Sequence, residues 1–328
     1  MKAVSFAQFG VPHEVASVID APEPGAPKAG EVAIEFLCSP INPADLLLLA
    51  GNYGHRPALP ALGGLEGVGQ VTALGAGVSH LQVGDRVLLP GGNWAERMLA
   101  PAAGLFPLPA DAPSEQLAML TVNPPTAWGL LHDYVELKPG DWVIQNVANS
   151  AVGRLLIVLA KQRGLRTVNV VRRPELDAEL KSLGADLVVV DGDDLAARVA
   201  KGTGEAAIRL GVEAIGGAAT GRIVECIATE GTVVHYGSMS GEDPEVTRSN
   251  FIYRGVRLTG FMLGRGLAKR SPEKIREIYA DLGGQVLAGK LHAPVDTVYP
   301  IEKIKEALAH ADRGGRNGKI LVAPNGPV

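Results

Sequence analysis

The segment "GNYGHRP" places a tyrosine, Tyr53, between an asparagine and a glycine in a stretch without regular periodicity. A tyrosine hydroxyl donates a hydrogen bond and stays protonated near neutral pH, which suits a proton donor in catalysis. The flanking Asn52 and Gly54 are equally typical of a surface turn. On local sequence alone, Tyr53 is more simply explained as a turn residue.

A second candidate site is the turn "NVANSAVG", which joins the apolar strand "WVIQNV" to the helix "AVGRLLIVLAKQR". A strand, a tight turn and a helix in this order can place a pyrophosphate at the helix N-terminus. Only Gly153 matches the usual glycine fingerprint, at the position where glycine permits close packing of helix and strand. Asn149 and Ser150 occupy positions where the fingerprint usually has glycine or another small residue. Taken alone, this turn is a weak indication of dinucleotide binding.

Arg172 and Arg173 end the next strand, "RTVNVV", where an acidic residue would bind the ribose of NAD. Two guanidinium groups can bind a 2′-phosphate with bidentate, charge-assisted hydrogen bonds, and an unphosphorylated ribose gives them no comparable partner. The pair therefore favours NADPH over NADH. Two solvated arginines at the start of a helix are the alternative.

The bulk composition argues against several functional classes. The 328 residues are 46% hydrophobic and carry a net charge of −4, so there is no basic surplus for a nucleic-acid backbone. Cys38 and Cys226 lack CxxC spacing, which argues against a disulfide framework and a structural zinc cage and suits a reducing compartment. The N-terminus shows no targeting pattern, and no apolar run is long enough for a membrane span. We expect a soluble, cytoplasmic protein with no nucleic-acid or membrane partner.

The order of the predicted elements indicates two domains. Residues 1–120 are dense in glycine and proline, with short apolar runs bounded by turns, which is typical of β structure. From Thr121, strands and helices alternate, and near-continuous apolar strands such as "LVVV" fit a parallel sheet buried on both faces. This α/β region is expected to extend to residue 262. The remaining residues, 263–328, contain two predicted helices, Pro272–Leu287 and Ile301–Ala311, and a final strand "KILVA".

Over essentially its whole length the chain resembles the medium-chain dehydrogenase/reductase family. The resemblance implies the α/β fold class, with a glycine-rich GroES-like β domain (1–120), a Rossmann-type doubly wound parallel sheet (121–262) and a C-terminal return to the first domain (263–328).

Zinc-dependent members of that family take their catalytic metal ligands from positions that match Asn42, Leu65 and Asn123, none of which is a good zinc ligand. The resemblance therefore implies a zinc-free member without a metal site. Cys38 lies close to the first of these positions and is interpreted as a small buried residue.

Within the zinc-free branch, the chain is most similar to the trans-2-enoyl thioester reductases, which use NADPH. Five stretches carry the similarity: "INPADLLLLAGNYGHRPALPALGGLEGVGQV", "VNPPTAW", "VIQNVANSAVG", "TVNVVRRPE" and "HYGSM". The form "QNVANSAVG", with asparagines in place of glycines, is more specific than a generic Rossmann turn.

In that family the tyrosine that matches Tyr53 is the catalytic acid, and Asn42 could orient its hydroxyl or the cofactor. Met262 and Gly266 stand where members tend to carry tryptophan, in a segment that helps to frame the acyl pocket. The resemblance also implies the residues that border NADPH: Asn123, Asn149, Ser150, Ala151, Val152, Arg172, Arg173, Tyr236, Gly237, Ser238, Met239, Phe261, Met262, Leu263, Gly264 and Lys319. Asn42 is added to these as a candidate because it lies close to Tyr53 in the sequence.

The implied activity is NADPH-dependent reduction of the C2–C3 double bond of an enoyl-CoA or enoyl-acyl carrier protein, with a hydride added at C3 and a proton from Tyr53 at C2. The alternatives are an NADPH-dependent quinone or alkenal reductase of the same branch, and a non-catalytic NADPH-binding protein. The acyl chain length and the carrier stay open. The strand Val256–Met262 is expected to pair with its copy in a homodimer, because an unpaired apolar edge strand is a liability.

Overall fold

The computed structural model describes residues 1–324. The strands are β1 (Lys2–Phe6), β2 (Ala16–Asp20), β3 (Glu31–Pro40), β4 (Ala61–Leu62), β5 (Val68–Leu74), β6 (Arg86–Leu88), β7 (Arg97–Pro101), β8 (Trp142–Gln145), β9 (Arg166–Val171), β10 (Leu187–Val190), β11 (Leu210–Glu213), β12 (Thr232–His235), β13 (Arg257–Gly260), β14 (Val295–Pro300) and β15 (Lys319–Ala323). The helices are α1 (Pro12–Val15), α2 (Pro43–Ala50), α3 (Ser114–Leu117), α4 (Asn123–His132), α5 (Ala151–Gln162), α6 (Asp177–Ser182), α7 (Leu195–Thr203), α8 (Gly217–Glu225), α9 (Arg248–Ile252), α10 (Leu263–Leu267), α11 (Pro272–Leu287) and α12 (Ile304–Asp312).

These elements form two compact units. The first contains Met1–Val122 and the described residues from Tyr279 onward, and the second is Asn123–Ile278. None of the helices within residues 1–324 is long and apolar enough to cross a membrane.

Mostly antiparallel pairing builds the first unit. One sheet has the order β14-β15-β3-β5-β6, with β7 also paired to β3, and a smaller sheet has the order β2-β1-β4. Alternate residues of β3 are buried, so Val32, Ile34 and Phe36 pack in the core together with Trp94. Strand β15 pairs antiparallel with β3, which joins the C-terminal part of the chain to this unit.

The second unit is a six-stranded parallel sheet with the order β10-β9-β8-β11-β12-β13. Its first strand, β8, lies inside the sheet; the chain moves outward to β10, returns to β11 and moves outward again to β13, which is the Rossmann order. Neighbouring residues of β9, Val170 and Val171, belong to separate core clusters. Because successive side chains of a strand point to opposite faces, both faces of the sheet are covered. The predicted fold class is confirmed.

The second unit extends past the domain boundary predicted at residue 262. Helix α10 packs against α4, and the division between the units falls within α11, after Ile278. The bounds of α11 agree with the prediction, whereas the helix predicted at Ile301–Ala311 is a 3₁₀ turn, Ile301–Lys303, followed by α12. Hydrophobic spacing locates a helix but does not say which core it packs against. Residues 325–328, at the end of the predicted C-terminal segment, lie outside the described part of the chain.

Candidate active site

Tyr53 lies just after α2, which ends at Gly51 in a left-handed turn. Gly51 has a φ of 75°, and a Cβ atom there would lie 2.9 Å from Cβ of Phe9, so the turn requires glycine. The backbone amides of Asn52 and Tyr53 both donate to the carbonyl oxygen of Leu47, at 2.8 Å and 3.1 Å. The segment that looked irregular in the sequence is therefore an ordered helix cap that attaches Tyr53 to the last turn of α2.

The side chain of Tyr53 is half-buried and packs against the core of the first unit. Burial raises the pKa of its phenol, and the nearby Asp45 raises that pKa further, so the hydroxyl stays protonated. No hydrogen bond from this hydroxyl to another residue is found within residues 1–324. The hydroxyl can therefore donate a hydrogen bond or a proton to a bound molecule.

Asn42 occupies the N-cap position of α2, and its side chain joins a cluster that we call the buried polar network: Asn42, Asp45, Glu66 and Lys319. The carboxamide Nδ2 of Asn42 donates to Glu66 Oε1 at 2.6 Å, and its Oδ1 accepts a hydrogen bond from the Lys319 ammonium. Asp45 accepts hydrogen bonds from the backbone amides of Asn42, at 2.8 Å, and Leu65, at 2.9 Å. Each of the four members is at most 8% exposed.

Burial is the largest influence on the protonation of this network. It raises the pKa of Asp45 and of Glu66 to about 7 and lowers the pKa of Lys319 to about 8. The opposite charges act against burial, because Lys319 lowers the pKa of both carboxyl groups and they raise that of Lys319. The backbone amide of Val122 also donates to Glu66 Oε2, at 2.9 Å, and stabilises its ionised form.

The residues at the positions of the family's metal ligands do not form a metal site. Asn42 is occupied by hydrogen bonds to its neighbours, and Leu65 has no donor atom in its side chain. Among residues 1–324, no group of three His, Cys, Asp or Glu side chains is arranged to hold a metal ion. Cys38 is fully buried, and burial raises the pKa of its thiol, as expected of a structural residue.

In the second unit, the predicted nucleotide turn joins β8 to α5. Val147 has a φ of 50°, which turns the chain sharply, and Ser150 caps α5 by accepting a hydrogen bond from the amide of Gly153 at 3.1 Å. A Cβ atom at Gly153 would lie 2.7 Å from the carbonyl oxygen of Ala148. Glycine is therefore required for the close approach of the helix to the turn.

Ala151 and Val152 are the first residues of α5, and Asn149 precedes its cap. The amides in the first turn of a helix have no partner within the helix, and together with the helix dipole they favour an anion. The N-terminus of α5 at the end of β8 is thus suited to a phosphate group.

The structure also brings together Ser150 and Tyr236, two residues predicted from different stretches. Tyr236 directly follows β12. Burial raises the pKa of its hydroxyl to about 12, so it is neutral, and the nearby Ser150 side chain acts to lower that pKa. Beyond it, Gly237 lies close to Ala214, and the predicted residues Ser238 and Met239 are exposed.

Arg172 and Arg173 directly follow β9, and both side chains are exposed. Neither guanidinium group forms an ion pair or hydrogen bond with another residue within the described part of the chain. Because they follow β9, both residues lie at the carboxyl edge of the parallel sheet, where dinucleotides bind in this fold. No carboxylate in the described residues competes with a phosphate for them.

The other predicted cofactor residues in this unit are Asn123, which is buried at the start of α4, and the segment Phe261–Gly264 after β13. The ring of Phe261 packs against Tyr134 with centroids 6.4 Å apart, and Met262 is exposed next to α10. The cofactor contacts of all these residues, and of Asn42 and Lys319 in the first unit, stay predictions.

Sequence reasoning missed a buried carboxylate at the same edge of the sheet. Glu213, the last residue of β11, accepts hydrogen bonds from Asn146 Nδ2 at 2.9 Å and from the amides of Ile215 and Gly216 at 2.6 and 3.0 Å, and it contacts His235 Nδ1. Burial acts to raise the pKa of Glu213, but these hydrogen bonds outweigh it and lower the pKa. No periodicity marks such a residue; the only available signal was a charge at the end of an apolar strand.

Family models match both units. The model described as "Alcohol dehydrogenase GroES-like domain" matches residues 28–110, and that described as "Zinc-binding dehydrogenase" matches residues 151–282. The human mitochondrial enoyl-[acyl-carrier-protein] reductase is 35% identical over 317 residues, which cover 94% of this chain and 84% of the relative. The chain belongs to the medium-chain dehydrogenase/reductase family. The predicted family and the predicted class of enzyme, an oxidoreductase, are confirmed.

Solved structures of reductases align with nearly the whole chain. A putative NADPH:quinone reductase from Bacillus thuringiensis is 29% identical, with a TM-score of 0.90 and 98% of each chain covered. Etr1p in complex with NADP and crotonyl-CoA is 26% identical, with a TM-score of 0.86 and 98% and 99% of the two chains covered. Etr1p also forms a heterodimer with Etr2p, both 2-enoyl thioester reductases from Candida tropicalis, which aligns with a TM-score of 0.84 at 27% identity over 98% of this chain and 99% of that chain. The NADP in the Etr1p complex agrees with the predicted cofactor.

Proposed function

We propose that this oxidoreductase uses NADPH to reduce the C2–C3 double bond of a trans-2-enoyl thioester. The observation that carries the proposal is the hydroxyl of Tyr53, which is protonated, half-buried and without a hydrogen-bond partner in the described residues. It stands where the resemblance implies the catalytic acid. The human enoyl-[acyl-carrier-protein] reductase and the complex of Etr1p with crotonyl-CoA, an enoyl thioester, support this choice of substrate class.

The second unit has the features that NADPH requires. Gly153 lets α5 approach the preceding turn, the N-terminus of α5 suits the pyrophosphate, and Arg172 and Arg173 offer two cations for the 2′-phosphate. When bound, NADPH supplies the hydride that adds to C3 of the substrate.

Tyr53 supplies the second part of the reaction. Addition of a hydride at C3 leaves negative charge on C2 and the thioester oxygen, and a group that donates a proton there stabilises the transition state. The raised pKa of Tyr53 keeps its proton in place until that charge develops. The proton then passes to C2, the saturated thioester is released, and the phenolate of the half-buried Tyr53 takes up a proton from solvent.

The test of this proposal is NADPH oxidation with enoyl-CoA substrates of increasing chain length. We expect turnover with at least one chain length, and the profile of kcat/KM along the series measures the size of the acyl pocket. An enzyme that oxidises NADPH with none of these thioesters would contradict the proposal.

A second candidate function is quinone reduction. It is favoured by the TM-score of 0.90 with the putative NADPH:quinone reductase from Bacillus thuringiensis. Crotonyl-CoA and a benzoquinone assayed side by side distinguish the two activities. In addition, quinone reduction by this chain would not need Tyr53 as an acid, so its rate would survive the loss of the hydroxyl.

The preference for NADPH is expected to depend on Arg172 and Arg173. Replacing both by alanine removes at least one charge-assisted hydrogen bond to the 2′-phosphate, worth about 1.5–3 kcal/mol, so the KM for NADPH should rise by at least roughly 10- to 150-fold. NADH lacks that phosphate and serves as the matched control, and its KM should change less than about threefold by the same reasoning. An equal increase for both cofactors would contradict the assignment.

We further propose a homodimer formed through β13. This strand pairs only with β12 within the described residues, and the segment before it exposes Ile252 (62%) and Tyr253 (78%). The heterodimer of Etr1p and Etr2p supports a paired assembly. Light scattering at micromolar concentration should give the mass of two chains, and a monomer would contradict the assembly.

Two finer choices accompany the proposed activity. Parallel assays with crotonyl-CoA and the crotonyl thioester of an acyl carrier protein will show which carrier is preferred. We propose a cytoplasmic location from the cysteine usage, although the human relative is named as mitochondrial, and cell fractionation distinguishes the two.

A further inference from the structure

Helix α2 connects the buried polar network to Tyr53. The network holds the first turn of the helix, since the amide of Asn42 donates to Asp45 Oδ2 at 2.8 Å. The last turn holds the tyrosine, since the amide of Tyr53 donates to the carbonyl oxygen of Leu47 at 3.1 Å. Because α2 is a continuous helix between these two bonds, a tilt of its first turn would also move Tyr53.

Asp45 is the residue that fixes this first turn to the rest of the unit. Its Oδ2 binds the start of α2, and its Oδ1 accepts a hydrogen bond from the amide of Leu65 at 2.9 Å, in the segment before β5. The side chain is only 1% exposed, so no water can replace a lost bond without reorganisation. No step of the proposed reaction uses Asp45 directly.

Both oxygens of Asp45 must accept, and only a carboxylate can do this. An asparagine at this position would present one oxygen and one NH₂ group to two amide donors, so one of the two bonds would be replaced by a donor facing a donor. The nearby Lys319 favours the ionised form of Asp45, whereas burial opposes it. The charge at this position is thus tied to the geometry of α2.

A small tilt of the first turn of α2 displaces the residues after its last turn by a larger distance. The eight residues of α2 span about 12 Å at 1.5 Å per residue. A tilt of about 5° around the first turn therefore displaces Tyr53 by about 1 Å, and a misplacement of this size can reduce a catalytic rate by about 100-fold.

We propose that Asp45 is a positioning residue, which acts through α2 to hold the hydroxyl of Tyr53 in place for proton transfer. This inference rests on the proposed role of Tyr53 as the acid. It predicts that Asp45 affects the rate of enoyl thioester reduction and leaves the binding of NADPH unchanged.

The test is a double-mutant cycle with Asp45→Asn and Tyr53→Phe, measured with crotonyl-CoA. We expect Asp45→Asn to lower kcat about 10- to 100-fold while the Kd for NADPH, measured by fluorescence titration, stays within about twofold. Because both changes act on the same proton transfer, the double variant should be no slower than Tyr53→Phe alone, within about twofold. Independent effects that multiply would overturn the inference.

The matched control is Asp85→Asn. Asp85 also accepts a hydrogen bond from the backbone amide three residues earlier, Gln82, at 2.7 Å, but it is not attached to α2. Its kcat should equal that of the wild type. If Asp45→Asn does not accumulate as folded protein, Asp45→Glu makes the same test, because it keeps the carboxylate and moves it by one methylene. We expect the kcat of Asp45→Glu to lie between those of the wild type and Tyr53→Phe. In the Tyr53→Phe background, Asp45→Glu should not lower kcat further.

The outcomes separate this inference from the function on which it rests. Normal turnover by Tyr53→Phe would overturn the proposed acid itself. A large loss with Tyr53→Phe but none with Asp45→Asn or Asp45→Glu would overturn only the role of Asp45.

Discussion

Replacing Tyr53 by phenylalanine should lower kcat for crotonyl-CoA about 10²- to 10⁴-fold, the range that general acid catalysis contributes. The ring is retained, so the packing against the core of the first unit is kept and only the proton donor is lost. NADPH binding should be unchanged within about twofold, because the change removes an interaction needed in the transition state and not one that binds the cofactor. The measurements are steady-state kinetics and fluorescence titration of NADPH.

Tyr299→Phe provides the control for this experiment. Tyr299 packs against the same core, but its hydroxyl lies 3.0 Å from Nδ1 of His310 and takes no part in the proposed chemistry. Its kcat should stay close to that of the wild type. If Tyr53→Phe reduces crotonyl-CoA at the wild-type rate while remaining folded, then Tyr53 is not the acid and quinone reduction becomes the better explanation of the chain.

Replacing Lys319 by methionine should destabilise the protein by about 1–3 kcal/mol at pH 8, because it leaves the buried Oδ1 of Asn42 without its donor and removes a cation that favours ionisation of the neighbouring carboxyl groups. Methionine fills similar space but leaves Asp45 and Glu66 buried without the cation that lowers both of their pKa values. Urea unfolding followed by tryptophan fluorescence measures the loss. Lys305→Met, an exposed lysine on α12, should change the free energy of unfolding by less than about 0.5 kcal/mol.

The loss should depend on pH, and its sign follows from the two carboxyl groups. Their pKa values of about 7 lie above those of an unfolded chain, so between about pH 4 and pH 7 the folded protein binds more protons than the unfolded one. Their contribution to stability therefore declines as pH rises through this window. Removal of Lys319 raises both pKa values further, so the difference from the wild type should be smaller at pH 5, where both carboxyl groups are protonated, than at pH 8, where they are ionised and Lys319, with a pKa of about 8, is still partly charged. A difference that is equal at both pH values would contradict the role of Lys319 as their counter-ion.

The regular part of the fold was accessible from the sequence because its signals are local. The alternation of apolar strands with helices predicted the parallel sheet, and β9 has the bounds of the predicted strand at Arg166–Val171. Gly153 was predicted to allow close packing of helix and strand, and the structure shows the backbone of Ala148 in the space that a Cβ atom would need. The end of the second unit was not accessible, because α11 belongs to both units and its spacing does not show where they divide.

For the candidate site, too, some features could be predicted from the sequence and others could not. The sequence by itself determined the residue types: a tyrosine in the segment after α2, two arginines after β9, and no zinc ligands at the positions where the family carries them. Only the tertiary structure decided that Lys319 reaches Asn42, a residue 277 positions away, and that Asp45 joins the start of α2 to Leu65. Burial and long-range hydrogen bonds depend on which segments pack together, and the pKa values that they change cannot be assigned to a residue before its neighbours are known.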